Sequence, residues 1–281
     1  MRAEKFGSTG RDVPVIGQGT WYIEASRRAD AVAALRRGID LGMTHIDTAE
    51  MYGSGAAEEI VGGAIAGRRD GVYIVSKVLP HNASRKGTIK ACEASLKRLK
   101  TDHLDCYLLH WRGSVPLSET IAAMEELVGA DKIRAWGVSN FDADDLDEAL
   151  SIAGPGRIAC NQVLYHLRER AIEHDVIPWC EQNNVAVVAY SPFGHNGFPS
   201  PKSQEGQLLA VIGKKHGATP YQVALAFLTR RPSVFAIPKA ASDAHVVQNA
   251  AAGDLILNRE ELEQIDRAFP LGRRPSSLPM L

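Results

Sequence analysis

Residues 72–77 read Val-Tyr-Ile-Val-Ser-Lys. Val72, Tyr73, Ile74 and Val75 are β-branched or aromatic, which suits a strand. They are apolar at successive rather than alternate positions, as in a strand covered on both faces. The run closes on Lys77, and a lysine is rare in a buried place unless it is paired. Upstream, Ala57–Ala66 carries apolar residues at helical spacing, and downstream Ser84–Lys100 does the same.

This helix, strand, helix unit recurs along the whole chain. The spacing predicts strands at Ile16–Thr20, His45–Asp47, Val72–Lys77, Leu104–Leu109, Ala135–Val138, Ala159–Val163, Val185–Tyr190 and Val234–Ile237. Helices are expected at Ala29–Leu41, Ala57–Ala66, Ser84–Lys100, Leu117–Leu127, Asp142–Ile152 and Ile172–Asn183, with two more inside Gln204–Leu228. Asp142 fits an N-cap, and Pro220 after Thr219 fits a first helical turn. Eight strands alternating with helices form a parallel sheet buried on both faces, and eight is the number that closes into a (β/α)8 TIM barrel of the α/β class. No Gly-, Ser- or Pro-rich linker divides residues 1–281, so one domain is expected. An open doubly wound sheet is the alternative. For a dinucleotide it would carry Gly-x-Gly-x-x-Gly after its first strand, whereas Gly17-Gln18-Gly19 runs on into Thr20-Trp21-Tyr22.

Composition narrows the function classes. The 281 residues are 45% hydrophobic and 23% charged, as in an ordinary globular protein. A net charge of −1 gives no field to draw nucleic acid or anionic lipid. Apolar runs such as Val185–Tyr190 are far too short to span a bilayer, and Met1–Lys5 lacks the apolar core of a secretory signal. Cys92, Cys106, Cys160 and Cys180 are widely spaced with no Cys-x-x-Cys pair, so reduced thiols in the cytoplasm are expected and no metal site is.

In a closed βα barrel the chemistry sits at the C-terminal ends of the strands. Here those ends carry Asp47, Lys77, His110, Ser139-Asn140, Asn161-Gln162, Tyr190-Ser191 and Lys239. Any one of them also fits a rim hydrogen bond, a helix cap or a packed core side chain. Seven strand ends with functional groups do not fit that account together.

Gly17-Gln18-Gly19-Thr20-Trp21, His45-Ile46-Asp47-Thr48-Ala49 with Tyr52-Gly53, Ser76-Lys77-Val78, Ser95-Leu96 through Leu108-Leu109-His110, Gly137-Val138-Ser139-Asn140-Phe141, Asn161-Gln162, Tyr190-Ser191-Pro192 and Ile237-Pro238-Lys239 follow in order through nearly the whole chain. In these segments the sequence resembles the aldo-keto reductases. The resemblance implies NADPH-dependent reduction of aldehydes or ketones, which needs a hydride on carbon and a proton on oxygen. It makes Tyr52 the general acid, with Lys77 lowering the phenol's pKa from about 10 and Asp47 holding Lys77 charged. His110 would orient the carbonyl and stabilise charge on its oxygen.

The same resemblance implies that Ser139, Asn140 and Gln162 bond the nicotinamide carboxamide and that Tyr190 stacks on its ring. Ser191, Phe193 and Gly194 would lie by the pyrophosphate. Lys239 and Ser242, before a helix starting near Asp243, would meet the adenosine phosphate. The chain departs from the family at His245, where an arginine is common, and at Gln248, where a glutamate is, while Asn249 matches the adenine contact. A histidine offers no bidentate fork, so NADPH is preferred but less strongly, and NADH is possible but weaker.

Trp21, Tyr22 and Trp111 would wall the substrate mouth. A short segment after His110 and the tail Phe269–Leu281 suggest an open mouth, suited to a small carbonyl substrate rather than a steroid-sized one. The protein is expected to be a monomer or weak homo-oligomer. Two other readings stay open: an NADP(H)-binding regulatory protein resembling the potassium-channel β-subunits, and a sugar-phosphate isomerase or lyase using Lys77.

Overall fold

The chain enters through an antiparallel hairpin, β1 (Ala3–Lys5) and β2 (Asp12–Pro14), with Ala3 opposite Pro14 and Lys5 opposite Asp12. In this computed structural model, which describes residues 1–195 and 197–281, the hairpin closes one end of a barrel. Gly7 at its tip has φ +50°, and a Cβ there would lie 2.2 Å from the Ala159 carbonyl oxygen, so only glycine fits beneath the sheet. Phe6 beside it is fully buried, its ring 5.0 Å from those of Tyr73 and Phe235 and 5.6 Å from that of His45.

The barrel strands are β3 (Gln18–Gly19), β4 (His45–Asp47), β5 (Tyr73–Val78), β6 (Leu104–Leu109), β7 (Ile133–Ser139), β8 (Ile158–Leu164), β9 (Ala186–Tyr190) and β10 (Val234–Ala236). Each pairs in parallel with its sequence neighbour, from β3 through to β10. The ring then closes: Ile16 bridges Ala236 and Gly19 bridges Lys239, with Gly17 N–H donating to the Ala236 carbonyl at 2.8 Å. The open-sheet alternative is therefore set aside. Gly19 makes this seam possible, since a Cβ there would meet the Ile237 carbonyl at 2.5 Å.

Covering helices are α1 (Arg28–Asp40), α2 (Ala56–Ile65), α3 (Arg85–Leu99), α4 (Leu117–Gly129), α5 (Ala143–Ala153), α6 (Val176–Gln182), α7 (Gln204–Lys215), α8 (Pro220–Leu228), α9 (Asp243–Ala252) and α10 (Arg259–Ala268). With helices outside and side chains inside, every residue of β5, β6 and β8 is buried, which is why their apolar residues fall at successive rather than alternate positions. Asp142 caps α5 by accepting from Asp145 N–H at 2.9 Å, and Thr219 forms a capping box with Gln222 ahead of Pro220.

Local differences from the sequence reading have plain causes. The first strand shrinks to Gln18–Gly19 because Ile16 makes only an isolated bridge across the seam. The helix expected from Ile172 splits into a 3-10 turn, Ala171–Glu173, and α6. The β1–β2 hairpin and α10 stand outside the strand and helix pattern; Asn258 and Glu261, a capping box, were the signal for α10. Among the described residues no helix is long and apolar enough to cross a membrane, and no cluster of three potential metal ligands occurs.

Candidate active site

Asp47 ends β4 and Lys77 stands one residue before the end of the neighbouring strand β5. Both point into the barrel, and the Lys77 side chain is fully buried. An ammonium has three donors, and all three are used. Nζ donates to Asp47 Oδ1 at 2.6 Å, to the Thr48 carbonyl at 2.8 Å and to Tyr52 Oη at 3.3 Å. Tyr52 begins a short turn, Tyr52–Gly55, after β4, and Lys77 Nζ also lies 4.9 Å from its ring centre. His110 follows β6, its ring 5.8 Å from that of Tyr52 and nearly perpendicular to it.

Burial sets the protonation states here. It alone would lower the Lys77 ammonium, but Asp47 and Tyr52 more than reverse it, so Lys77 stays charged. Burial raises the Asp47 carboxyl against the pull of Lys77 and of a hydrogen bond from Gln162. The Tyr52 phenol also moves up, because burial and Asp47 outweigh the pull of Lys77. The expectation that Lys77 would bring this phenol below 10 is thus corrected: desolvation of the phenolate is the larger effect. His110 is pushed down to about 2, first by burial and then by Lys77, so its ring is neutral at any working pH.

Opposite stands a second polar group. Ser139 ends β7, and its hydroxyl donates to the Gln162 carbonyl at 2.8 Å. Asn140, in the left-handed conformation that asparagine tolerates, donates to the His110 carbonyl at 3.1 Å and accepts the Tyr190 hydroxyl at 2.9 Å. Gln162 Nε2 donates to Asp47 Oδ2 at 2.7 Å, which leaves its Oε1 to accept. A carboxamide offers two N–H donors and one acceptor. Gln162 Oε1 is an open acceptor; the Ser139 hydroxyl and the Asn140 amide, which donate here to the Gln162 carbonyl and to the His110 carbonyl and Ser139 Oγ, are the donors that would turn to the carboxamide oxygen, beside the half-buried ring of Tyr190. The residues present fit a nicotinamide.

Both groups open on one cavity of about 490 Å³ at the C-terminal ends of the strands. Asp47, Tyr52, His110 and Trp111 line it together with Ser139, Asn140, Gln162, Tyr190, Ser191, Phe193 and Gly194, and Trp21 and Lys239 line it as well.

The model of the aldo/keto reductase family matches residues 15–269. Methylglyoxal reductase YeaE of Escherichia coli is 49% identical over 271 residues, covering 96% of this chain and 95% of its own. A crystal structure of an aldo-keto reductase from Klebsiella pneumoniae in complex with NADPH superposes with a TM-score of 0.93 at 49% identity, covering 100% of both chains. The thermostable aldo-keto reductase Tm1743, crystallised with the inhibitor epalrestat, superposes at 0.89 with 42% identity, covering 97% of this chain and 100% of that one.

The chain belongs to the aldo/keto reductase family. It is an oxidoreductase on a (β/α)8 barrel, and the isomerase or lyase reading falls away.

Within this reductase the remaining candidate residues are spread more widely. Lys77 sits behind the cavity wall, reaching it only through Asp47 and Tyr52. Ser242 is the N-cap of α9, accepting from His245 N–H at 3.4 Å; it and His245 are exposed, Gln248 is half-buried and Asn249 buried, all outside the cavity. Tyr22 does not line the cavity either, but stacks on Trp21 at 4.7 Å. Sequence reasoning did not single out Met51, His195, Met280 and Leu281, which do line it. Along the tail that returns to the mouth, Arg274 pairs with Asp175 at 2.7 Å and Leu278 packs on the core. Its apolar end, Leu278-Pro279-Met280-Leu281, was the available signal.

Proposed function

We propose that this reductase converts small aldehydes and ketones to alcohols with hydride from NADPH, in one barrel domain spanning residues 1–281, with Tyr52 as proton donor. The observation that carries it is the buried chain Asp47–Lys77–Tyr52 opening on a cavity that also holds a carboxamide-matching set. Lys77 already donates to Tyr52 Oη, so the phenol's own hydrogen is free to point to a carbonyl oxygen in the cavity. With its pKa raised, Tyr52 stays protonated until it faces an oxygen that is gaining an electron pair, a far stronger base. Lys77 then faces the phenolate with a full charge. Neutral His110 donates a ring N–H to the same oxygen and fixes its approach. When bound, the cofactor supplies the hydride; Gln162, Ser139 and Asn140 orient it and Tyr190 shields one face.

A cavity of about 490 Å³ that must hold both the nicotinamide and the substrate supports small substrates, as does the E. coli relative's name, methylglyoxal reductase. The family relatives named above are reductases, which supports catalysis over a regulatory role. Ser242 and Lys239 favour NADPH over NADH. Four free, buried cysteines support a cytoplasmic setting, and the net charge of −1 supports no nucleic-acid partner. The protein works as a monomer or weak homo-oligomer.

Fluorescence titration with NADPH and NADH, followed by turnover of methylglyoxal and a panel of small aldehydes, ketones and quinones, tests this reading. Tighter NADPH binding with turnover is expected. Binding without turnover would favour the regulatory protein, and no binding would overturn both.

A further inference from the structure

A second buried charge lies behind the Tyr52–Lys77 contact. Glu58, in the first turn of α2, is fully buried. Its Oε1 accepts the Ser76 hydroxyl at 2.6 Å and its Oε2 accepts Arg98 Nε at 2.5 Å. Arg98, on α3, is further fixed by donating to Ser95 Oγ at 3.1 Å. Ser76 immediately precedes Lys77 on β5. Gly55 ends the turn that Tyr52 begins, and a Cβ on it would lie 2.5 Å from Arg98 Cδ, so the arginine stem lies directly against that turn. One carboxylate therefore holds both the strand of Lys77 and the side chain that backs the turn of Tyr52.

That turn needs an outside restraint. Gly53 and Ser54 both have left-handed backbones (φ 55° and 53°) and Gly55 has φ +94°; for serine such a conformation persists only where the surroundings impose it. Apolar packing between α2 and α3 would dock these helices as well as a buried ion pair does, but without direction. The bonds of Glu58 are directional, and they join the two segments whose separation sets the 3.3 Å contact between Lys77 Nζ and Tyr52 Oη.

We infer that Glu58, acting through Arg98 and Ser76, is a positioning residue that fixes Tyr52 against Lys77 for proton transfer. The inference rests on the assignment of Tyr52 as proton donor above. Neither Glu58 nor its two partners line the cavity.

Glu58→Gln keeps the size and an acceptor but removes the charge facing Arg98; Ser76→Ala cuts only the tie to the strand of Lys77. Both should lower kcat for carbonyl reduction about tenfold by misplacing the donor, with KM and the NADPH Kd within about twofold. Both should also shift the alkaline limb of the kcat/KM profile, and Ser76→Thr, which keeps the hydroxyl, should restore kcat and that limb. A lower melting temperature with unchanged kcat and pH profile in both variants would reduce Glu58 to a structural tie and overturn the inference. If Glu58→Gln fails to accumulate as folded protein, Ser76→Ala and its threonine rescue decide alone. Tyr52→Phe, measured beside them, separates the two ideas: should it turn over like the parent, the donor assignment falls and takes this inference with it. Should it lose turnover while Glu58→Gln and Ser76→Ala keep theirs, the positioning role alone falls.

Discussion

Gln162 on β8 reaches across the barrel to Asp47 on β4, its amide Nε2 2.7 Å from Oδ2, so the residue assigned to the carboxamide also completes the buried carboxylate. Asp47 thereby has one oxygen on Lys77 and the other on Gln162.

Gln162→Met should accordingly do two things at once. It strands Asp47 Oδ2, which costs about 1–3 kcal/mol of stability as an unsatisfied buried acceptor. It also removes an acceptor for the carboxamide, so NADPH should bind more weakly. Denaturant unfolding and an NADPH titration on the same preparation check both. A loss of affinity at unchanged stability would show that the bond to Asp47 contributes nothing to the fold.

How much of this was legible in the sequence depended on the length scale of the interaction. The β5 run and its lysine announced a covered strand and a paired charge, because burial on both faces leaves a local mark in composition. The strand ends placed Asp47, Lys77 and His110 near one another because barrel geometry gathers such ends. The link from Gln162 to Asp47 spans 115 positions and left no such mark. Nor did the return of Met280 and Leu281 to the mouth, along which Arg274 meets Asp175, 99 positions earlier, and Leu278 packs on the core. The direction of the Tyr52 shift was misread because depth of burial is not written in a loop sequence.

Lys77→Met removes one member of the buried pair and should destabilise the protein by about 3–5 kcal/mol. Part of that cost falls away if the Asp47 carboxyl, already raised by burial, takes up a proton. The double variant Asp47→Asn, Lys77→Met should regain most of the stability and none of the turnover. Thermal unfolding and steady-state kinetics of the three proteins distinguish stability from chemistry here; turnover returning in the double variant would remove the ion pair from the mechanism.

The proposed cofactor site puts the preference for NADPH on the first turn of α9. His245 lacks the fork of an arginine, and Asp243, its side chain 72% exposed and 3.3 Å from Arg37 Nε, places a negative charge in the same turn. His245→Arg should tighten NADPH about tenfold while leaving NADH nearly unchanged, since a bidentate contact recognises only the extra phosphate. Titration with both cofactors reads this directly, and an equal gain for both would place His245 away from the 2′-phosphate.

His45 and His110 make stability fall on acidification well before the carboxylates protonate. Burial, and then Lys77, lower their pKa values to about 3 and about 2, against an ordinary value near 6.5 in the unfolded chain. Between those limits the unfolded chain binds protons that the folded one refuses, so unfolding gains as pH drops. The contribution is fully present above about 6.5 and is lost below it at about 1.4 kcal/mol per pH unit for each histidine. Urea unfolding at pH 7.5 and 5.5 should therefore show a smaller drop in His110→Asn than in the parent. Turnover, by contrast, should show no step near 6.5 from His110, because the ring stays neutral in the folded enzyme on both sides of that pH. A drop of equal size in both proteins, or a histidine step in kcat, would mean that His110 carries a proton in the fold and that its ring N–H contact to the carbonyl is a charged one.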